Sequence, residues 1–191
     1  MATYGIVVEG PYDEAALEEM IKKCLSNEIE IITRPCGGKN QLMKRFRGFL
    51  ESFRHEKQGS PVDKALVICD ADNRDPDELI EMMKSEINDR TYPFEVKFII
   101  IVQELETWLL ADEEAISRVT QTRSGRIVSR VNENLESITQ PKEKLEEILF
   151  NANIPYTPEV ARQIAKESDI SNKVEYRCPR FREFRQAVVD C

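Results

Sequence analysis

A single histidine, His55, stands among 191 residues, and that scarcity removes the usual zinc hydrolase ligand sets, which draw on several histidines. The five cysteines (Cys24, Cys36, Cys69, Cys178, Cys191) are scattered, odd in number and contain no C-x-x-C. They supply neither a disulfide framework nor a structural zinc site. No run approaches the roughly 18 apolar residues of a membrane span. No internal repeat or low-complexity tract is present, and the chain opens on a strand-like run without a basic, apolar leader. These absences point to a cytoplasmic protein with no membrane partner, in which any metal would be a hard cation held by oxygen.

What is present suits a globular chain. A hydrophobic content of 41% with 32% charged residues supports one well-cored domain and a small appendage. The formal net charge of −8 does not advertise nucleic-acid binding, yet the charge is unevenly placed. Lys39, Lys44, Arg45, Arg47, Arg54 and Lys57 face only Glu51 and Glu56 in the same stretch, and Arg177, Arg180, Arg182 and Arg185 cluster near the C-terminus. Local patches of this kind matter more than the total when the partner is a phosphate backbone.

The first hundred residues alternate strand and helix signals. Tyr4–Val8, Glu28–Thr33, Ala65–Cys69 and Phe94–Val102 are short Val- and Ile-rich runs. Between them lie helical stripes: Ala15, Ala16, Leu17, Met20, Ile21 and Leu25; then Leu42, Phe46, Phe49, Leu50 and Phe53; then Leu79, Ile80, Met83 and Ile87. Strand-helix repetition at this spacing predicts an α/β fold, a Rossmann-like sheet of about four mainly parallel strands flanked by helices. Glu104–Ala115 reads as one helix, Gln121–Gln140 as a long polar loop, and the remainder as a helical extension. The expected division is a core over residues 1–118 and an extension over 119–191 packed on it.

Two acidic clusters follow the most apolar runs. Val8 leads into Glu9-Gly10-Pro11-Tyr12-Asp13, and Cys69 into Asp70-Ala71-Asp72. Ligands of open α/β sheets bind beyond the carboxyl ends of the strands, where these carboxylates would gather. Glu9, at a strand end, suits a metal ligand or a general acid/base. Gly10 would allow a tight turn, and Asp13 equally suits a favourable place on the helix dipole. Asp70 and Asp72, two apart on an extended segment, would point to one side and reach one Mg²⁺. Pro35-Cys36-Gly37-Gly38-Lys39-Asn40 lacks the Walker A spacing but could offer backbone N–H groups to a phosphate. Lys39, Lys44, Arg45 and Arg47 on the following helix are the candidate phosphate contacts.

The order Glu9-Gly10-x-x-Asp13 and then Asp70-x-Asp72 resembles the TOPRIM domain of topoisomerases, bacterial primases, RecR-type repair proteins and the overcoming-lysogenisation-defect nucleases. Val102-Gln103-Glu104-Leu105-Glu106-Thr107-Trp108-Leu109-Leu110-Ala111-Asp112 and Pro179-Arg180-Phe181-x-x-Phe184 are similar to segments of small stand-alone bacterial TOPRIM-like proteins of the uncharacterised or phage-defence type. The resemblance implies Glu9 as general acid/base and Mg²⁺, with Mn²⁺ as substitute, on Asp70, Asp72 and Glu104. Glu106 would be a supporting residue that points away from Glu104, and Trp108 would be core. The implied activity is cleavage of DNA or RNA phosphodiesters, with a protein partner or homodimer in view. No strand-passing tyrosine or primase zinc module accompanies the motifs, so topoisomerase and complete primase activities are not expected. Two alternatives stay open: a haloacid-dehalogenase-like phosphatase with Asp70 as nucleophile, and a non-catalytic binding module.

Overall fold

The computed structural model describes residues 1–25 and 28–190, so Cys191 of the cysteine set lies outside the described residues. Four strands, β1 (Ala2–Val8), β2 (Ile29–Pro35), β3 (Lys64–Asp70) and β4 (Glu95–Ile101), form one sheet in the order β2-β1-β3-β4, and every pairing is parallel. From β1 the chain crosses to β2 on one side, and β3 then returns to the other. The strand order therefore reverses between β1 and β3, which defines a topological switch point with a crevice at the carboxyl ends of those strands.

The two central strands are apolar over Gly5–Val8 and Ala65–Cys69 because both their faces are covered. Alternation sends Ile6, Val8, Leu66, Ile68, Ile99 and Ile101 to one face, and Val7, Ala65, Val67, Cys69 and Ile100 to the other. Helices α2 (Lys39–Ser52) and α3 (Pro76–Ser85) cover the second face with Leu42, Phe46, Leu50, Leu79 and Met83. Helix α1 (Pro11–Cys24) covers the first together with the whole C-terminal half: α4 (Glu106–Leu109), α5 (Glu113–Ser124), α6 (Pro141–Phe150), α7 (Pro158–Glu167), α8 (Glu175–Arg177) and α9 (Phe181–Val189). Trp108, fully buried, stacks edge-on against Phe181 at 4.8 Å between centroids and lies 5.1 Å from Phe184. It is core, as its spacing with Leu105 and Leu109 indicates. The extension thus shares its hydrophobic core with the sheet, and α5 runs across position 118.

Two local expectations need correction. The segment from Glu104 to Ala115 is not one helix. Asp112 accepts hydrogen bonds from the N–H groups of Glu114 and Ala115, so it caps a new helix at Glu113 and ends the run begun at α4. That new helix continues to Ser124, closed by Gly125 at φ 70°, a conformation glycine adopts without strain. The polar loop is accordingly shorter than 121–140. No helix among the described residues is long and apolar enough to cross a membrane.

Candidate active site at the switch point

Glu9 follows the last residue of β1, and its Oε1 accepts a hydrogen bond of 2.9 Å from the backbone N–H of Asp70. That bond joins the two acidic motifs directly. The carbonyl of Glu9 is held as well, by the N–H groups of Gly37 and Gly38, both at 2.8 Å. Those glycines sit at φ 89° and 107°, where side-chain-bearing residues are strained. With the Cys36 N–H on the Val8 carbonyl at 3.0 Å, the Pro35–Asn40 turn thus commits three N–H groups to Val8 and Glu9, and they do not stand open to a phosphate. Asp13 caps α1 from within: its Oδ2 accepts from the N–H of Gly10 at 2.8 Å. Asp13 stands in the first turn of α1, where the helix dipole favours a carboxylate, but its surroundings add more.

Asp70 closes β3 on the face shared with α1 and α4. Its Oδ1 is buried and has no hydrogen-bond partner. Burial first, then the charges of Asp13, Glu9, Glu106 and Asp72, hold its carboxyl well above the usual range. Asp13 is raised from 3.8 to about 7 by burial, then by Glu9 and Glu106. Glu9 is raised by burial and by Asp72 and Glu104, against lowering by the Asp70 N–H and Lys39. Glu106, 5% exposed, is raised chiefly by burial and lowered by Tyr156, whose hydroxyl donates to its Oε1 at 2.9 Å. Four carboxylates from β1, α1, β3 and α4 therefore face one another in a poorly solvated crevice. Like charges so placed favour protonation unless a cation joins them.

The premise that Asp70 and Asp72 project side by side from an extended segment is not how the chain runs. The strand stops at Asp70, and Asp72 and Asn73 adopt φ 48° and 64°. Asp72 turns to the other side, where its Oδ2 meets the Lys39 ammonium at 3.0 Å. The same ammonium donates to the carbonyls of Asp70 and Ala71 at 2.6 and 3.0 Å. Lys39 thus organises the β3–α3 loop and places a positive charge on the rim. Glu104 forms the opposite rim, its Oε2 accepting from the N–H of Lys142 at 3.2 Å.

Glu106 points away from Glu104. It points inward to Asp13 and Asp70, because α4 begins only at Glu106 and the turn before it carries Glu104 outward. Of the basic set, Lys44 and Arg45 lie on the outer surface of α2, with Arg45 donating to the carbonyl of Cys36. Arg47 turns away to pair with Glu86 at 2.8 Å, so the four residues do not make one face. Lys142 and Tyr156 were not found from sequence. The Lys142 ammonium lies 4.9 Å from the Tyr12 ring centroid, and Tyr12 packs on Tyr156 at 4.9 Å. These three lie beside Glu106, whose carboxyl the Tyr156 hydroxyl and the Lys142 charge both lower. The only sequence signal was a basic residue after Pro141 at a helix start.

The donor set suits a hard divalent cation: it is all oxygen, anionic, and includes an orphaned buried carboxylate atom. Among the described residues, no three acidic side chains already converge on one coordination point. Mutual repulsion opposes such an approach by the bare carboxylates.

Residues 8–188 match the family described as domain of unknown function DUF4276, and the chain belongs to that family. No curated protein and no solved structure matches the chain.

Proposed function

We propose that the crevice is the active site of a divalent-cation-dependent phosphodiesterase acting on nucleic acid, a TOPRIM-type nuclease in nucleic-acid processing or phage defence. The observation that carries this reading is the unpartnered, buried Oδ1 of Asp70, faced by Glu9, Asp13 and Glu106 from three other elements. Such an arrangement is costly without a ligand that supplies positive charge. Mg²⁺, with Mn²⁺ as substitute, would be held by Asp70 with Glu106 and Asp13 beside it and by Asp72 and Glu104 at the rim. Bound there, the cation would neutralise charge developing on the phosphate and its leaving oxygen.

The protein's own groups supply the rest. The Asp70 N–H fixes the orientation of the Glu9 carboxylate. Burial raises its proton affinity above that of an ordinary carboxylate, which suits a group that takes and returns a proton. Lys142, whose ammonium lies over the Tyr12 ring, is the cation we assign to a flanking phosphate, while Lys39, with its three donors engaged by Asp70, Ala71 and Asp72, contributes positive charge. The Tyr156 hydroxyl keeps Glu106 in place without charging the site.

The test is cleavage of single- and double-stranded DNA and RNA with Mg²⁺ or Mn²⁺, beside a generic phosphomonoester. Glu9→Gln is expected to abolish strand cleavage while cation affinity falls only in part. Asp70→Asn is expected to lose both, since hard cations prefer charged oxygen. Phosphomonoester turnover that survives Glu9→Gln would replace this reading by the phosphatase. Strand binding without turnover of any substrate would replace it by the binding module.

A further inference from the structure

Helix α2 carries a glycine for which its packing gives no reason. Gly48 lies inside the helix, and a Cβ built there meets nothing within 4 Å. Glycine weakens a helix interior relative to alanine, so its presence at an exposed position leaves a notch at some expense of stability. The notch is part of a groove of about 450 Å³ lined by Arg34, Lys44, Arg45, Gly48, Phe49 and Ser52. Three cations and no carboxylate line it. Arg34 pairs with Glu56. The Arg45 guanidinium lies over the Phe49 ring, 5.1 Å from its centroid, while donating to the Cys36 carbonyl at 3.2 Å. A rigid cation-aromatic stack therefore borders an empty, nucleotide-sized notch under positive potential.

We infer that this groove holds one unpaired nucleotide of a nucleic-acid strand, its phosphate on Lys44 and Arg34 and its base against the Arg45–Phe49 stack. This rests on the nucleic-acid reading above and adds to it a substrate class, single-stranded segments or frayed ends. Lys39 opens α2 and holds Asp72 of the acidic crevice, and Gly48 lies nine residues further along the same helix. At the helical rise this is about 14 Å, and at 3.6 residues per turn it is half a turn round the helix, so a strand with one phosphate over the carboxylates reaches the groove by passing across the exposed Asn40, Gln41, Lys44 and Arg45 surface of α2. A duplex keeps its bases inside the stack and cannot seat one there.

The experiment measures fluorescence anisotropy of a labelled single strand of about 16 nucleotides, in EDTA so that no cleavage occurs, at several salt concentrations. Gly48→Gln fills the notch with a good helix former, so its melting temperature should hold or rise while affinity falls about tenfold. Its salt dependence should stay that of the wild type. The double change Lys44→Gln with Arg45→Gln should instead lower the salt slope by about one to two. A matched duplex should bind less tightly and ignore Gly48→Gln.

Unchanged single-strand affinity in Gly48→Gln, or no binding by the wild type, overturns the groove assignment. A duplex that binds as well and loses as much overturns the single-strand preference. The two readings fail separately. Cleavage with affinity indifferent to Gly48 sinks the groove alone, whereas Gly48-sensitive binding without cleavage sinks the nuclease alone.

Discussion

Asp13→Asn should stabilise the cation-free protein at alkaline pH and leave it nearly unchanged in acid. Burial and the neighbouring Glu9 and Glu106 charges raise the Asp13 carboxyl from 3.8 to about 7. A folded-state pKa above the unfolded one means that the fold binds this proton more tightly. The resulting stabilisation is fully present below pH 3.8 and is lost as pH rises through about 7. At 1.36 kcal/mol per unit, a rise of about three units sets a ceiling of about 4 kcal/mol. Asp13 is only half-buried, and solvent screening lowers this to about 1–3 kcal/mol. Asparagine keeps an oxygen to accept from the Gly10 N–H, so the cap survives. For a chain of this size each kcal/mol moves the melting temperature by about 2–4 °C. Calorimetry should therefore show Asp13→Asn melting roughly 2–12 °C above the wild type near pH 8.5, a smaller gap near pH 5, and little difference once the pH falls below 3.8. Saturating Mg²⁺ should narrow the gap by stabilising the wild type. Equal destabilisation at both pH values would refute the reasoning, because Asp13 would then act only as a helix cap.

Tyr156→Phe removes the one hydroxyl donating to buried Glu106. It should cost about 1–3 kcal/mol at neutral pH and less where Glu106 is protonated, as read from urea melts across that range. Gly5 faces the Phe53 ring so closely that a Cβ would lie 2.6 Å from it. Gly5→Ala should cost about 1–3 kcal/mol by overpacking, and chemical denaturation that shows no loss would contradict the close approach of Phe53 to β1.

The sheet and the meeting of the two acidic motifs were legible because they rest on short-range signals. Val-rich runs closed by Glu9 and Asp70 mark strand ends, and strand-helix alternation makes neighbours of β1 and β3. The interior partners were not legible in the same way. Glu106 sits among Leu105, Thr107 and Trp108, and periodicity alone could not tell that α4 would be so short and wholly buried. That Asp112 starts a helix instead of continuing one depends on its capping bonds. The turn of Asp72 away from Asp70 depends on a left-handed backbone and on Lys39, thirty-three positions distant. Tyr156 and Lys142 reach the crevice only because the C-terminal half packs on the α1 face, a tertiary choice with no local motif.

The central claim, that these carboxylates form a divalent-cation site, is tested most directly by titrating Mn²⁺ into the protein and following its electron paramagnetic resonance signal, with Mg²⁺ as competitor. The account predicts loss of the free Mn²⁺ signal on saturable binding to the wild type, reversal by Mg²⁺, and no binding to Asp70→Asn in a protein that remains folded. Wild type that leaves the free Mn²⁺ signal unchanged, or Asp70→Asn that binds as the wild type does, would contradict it.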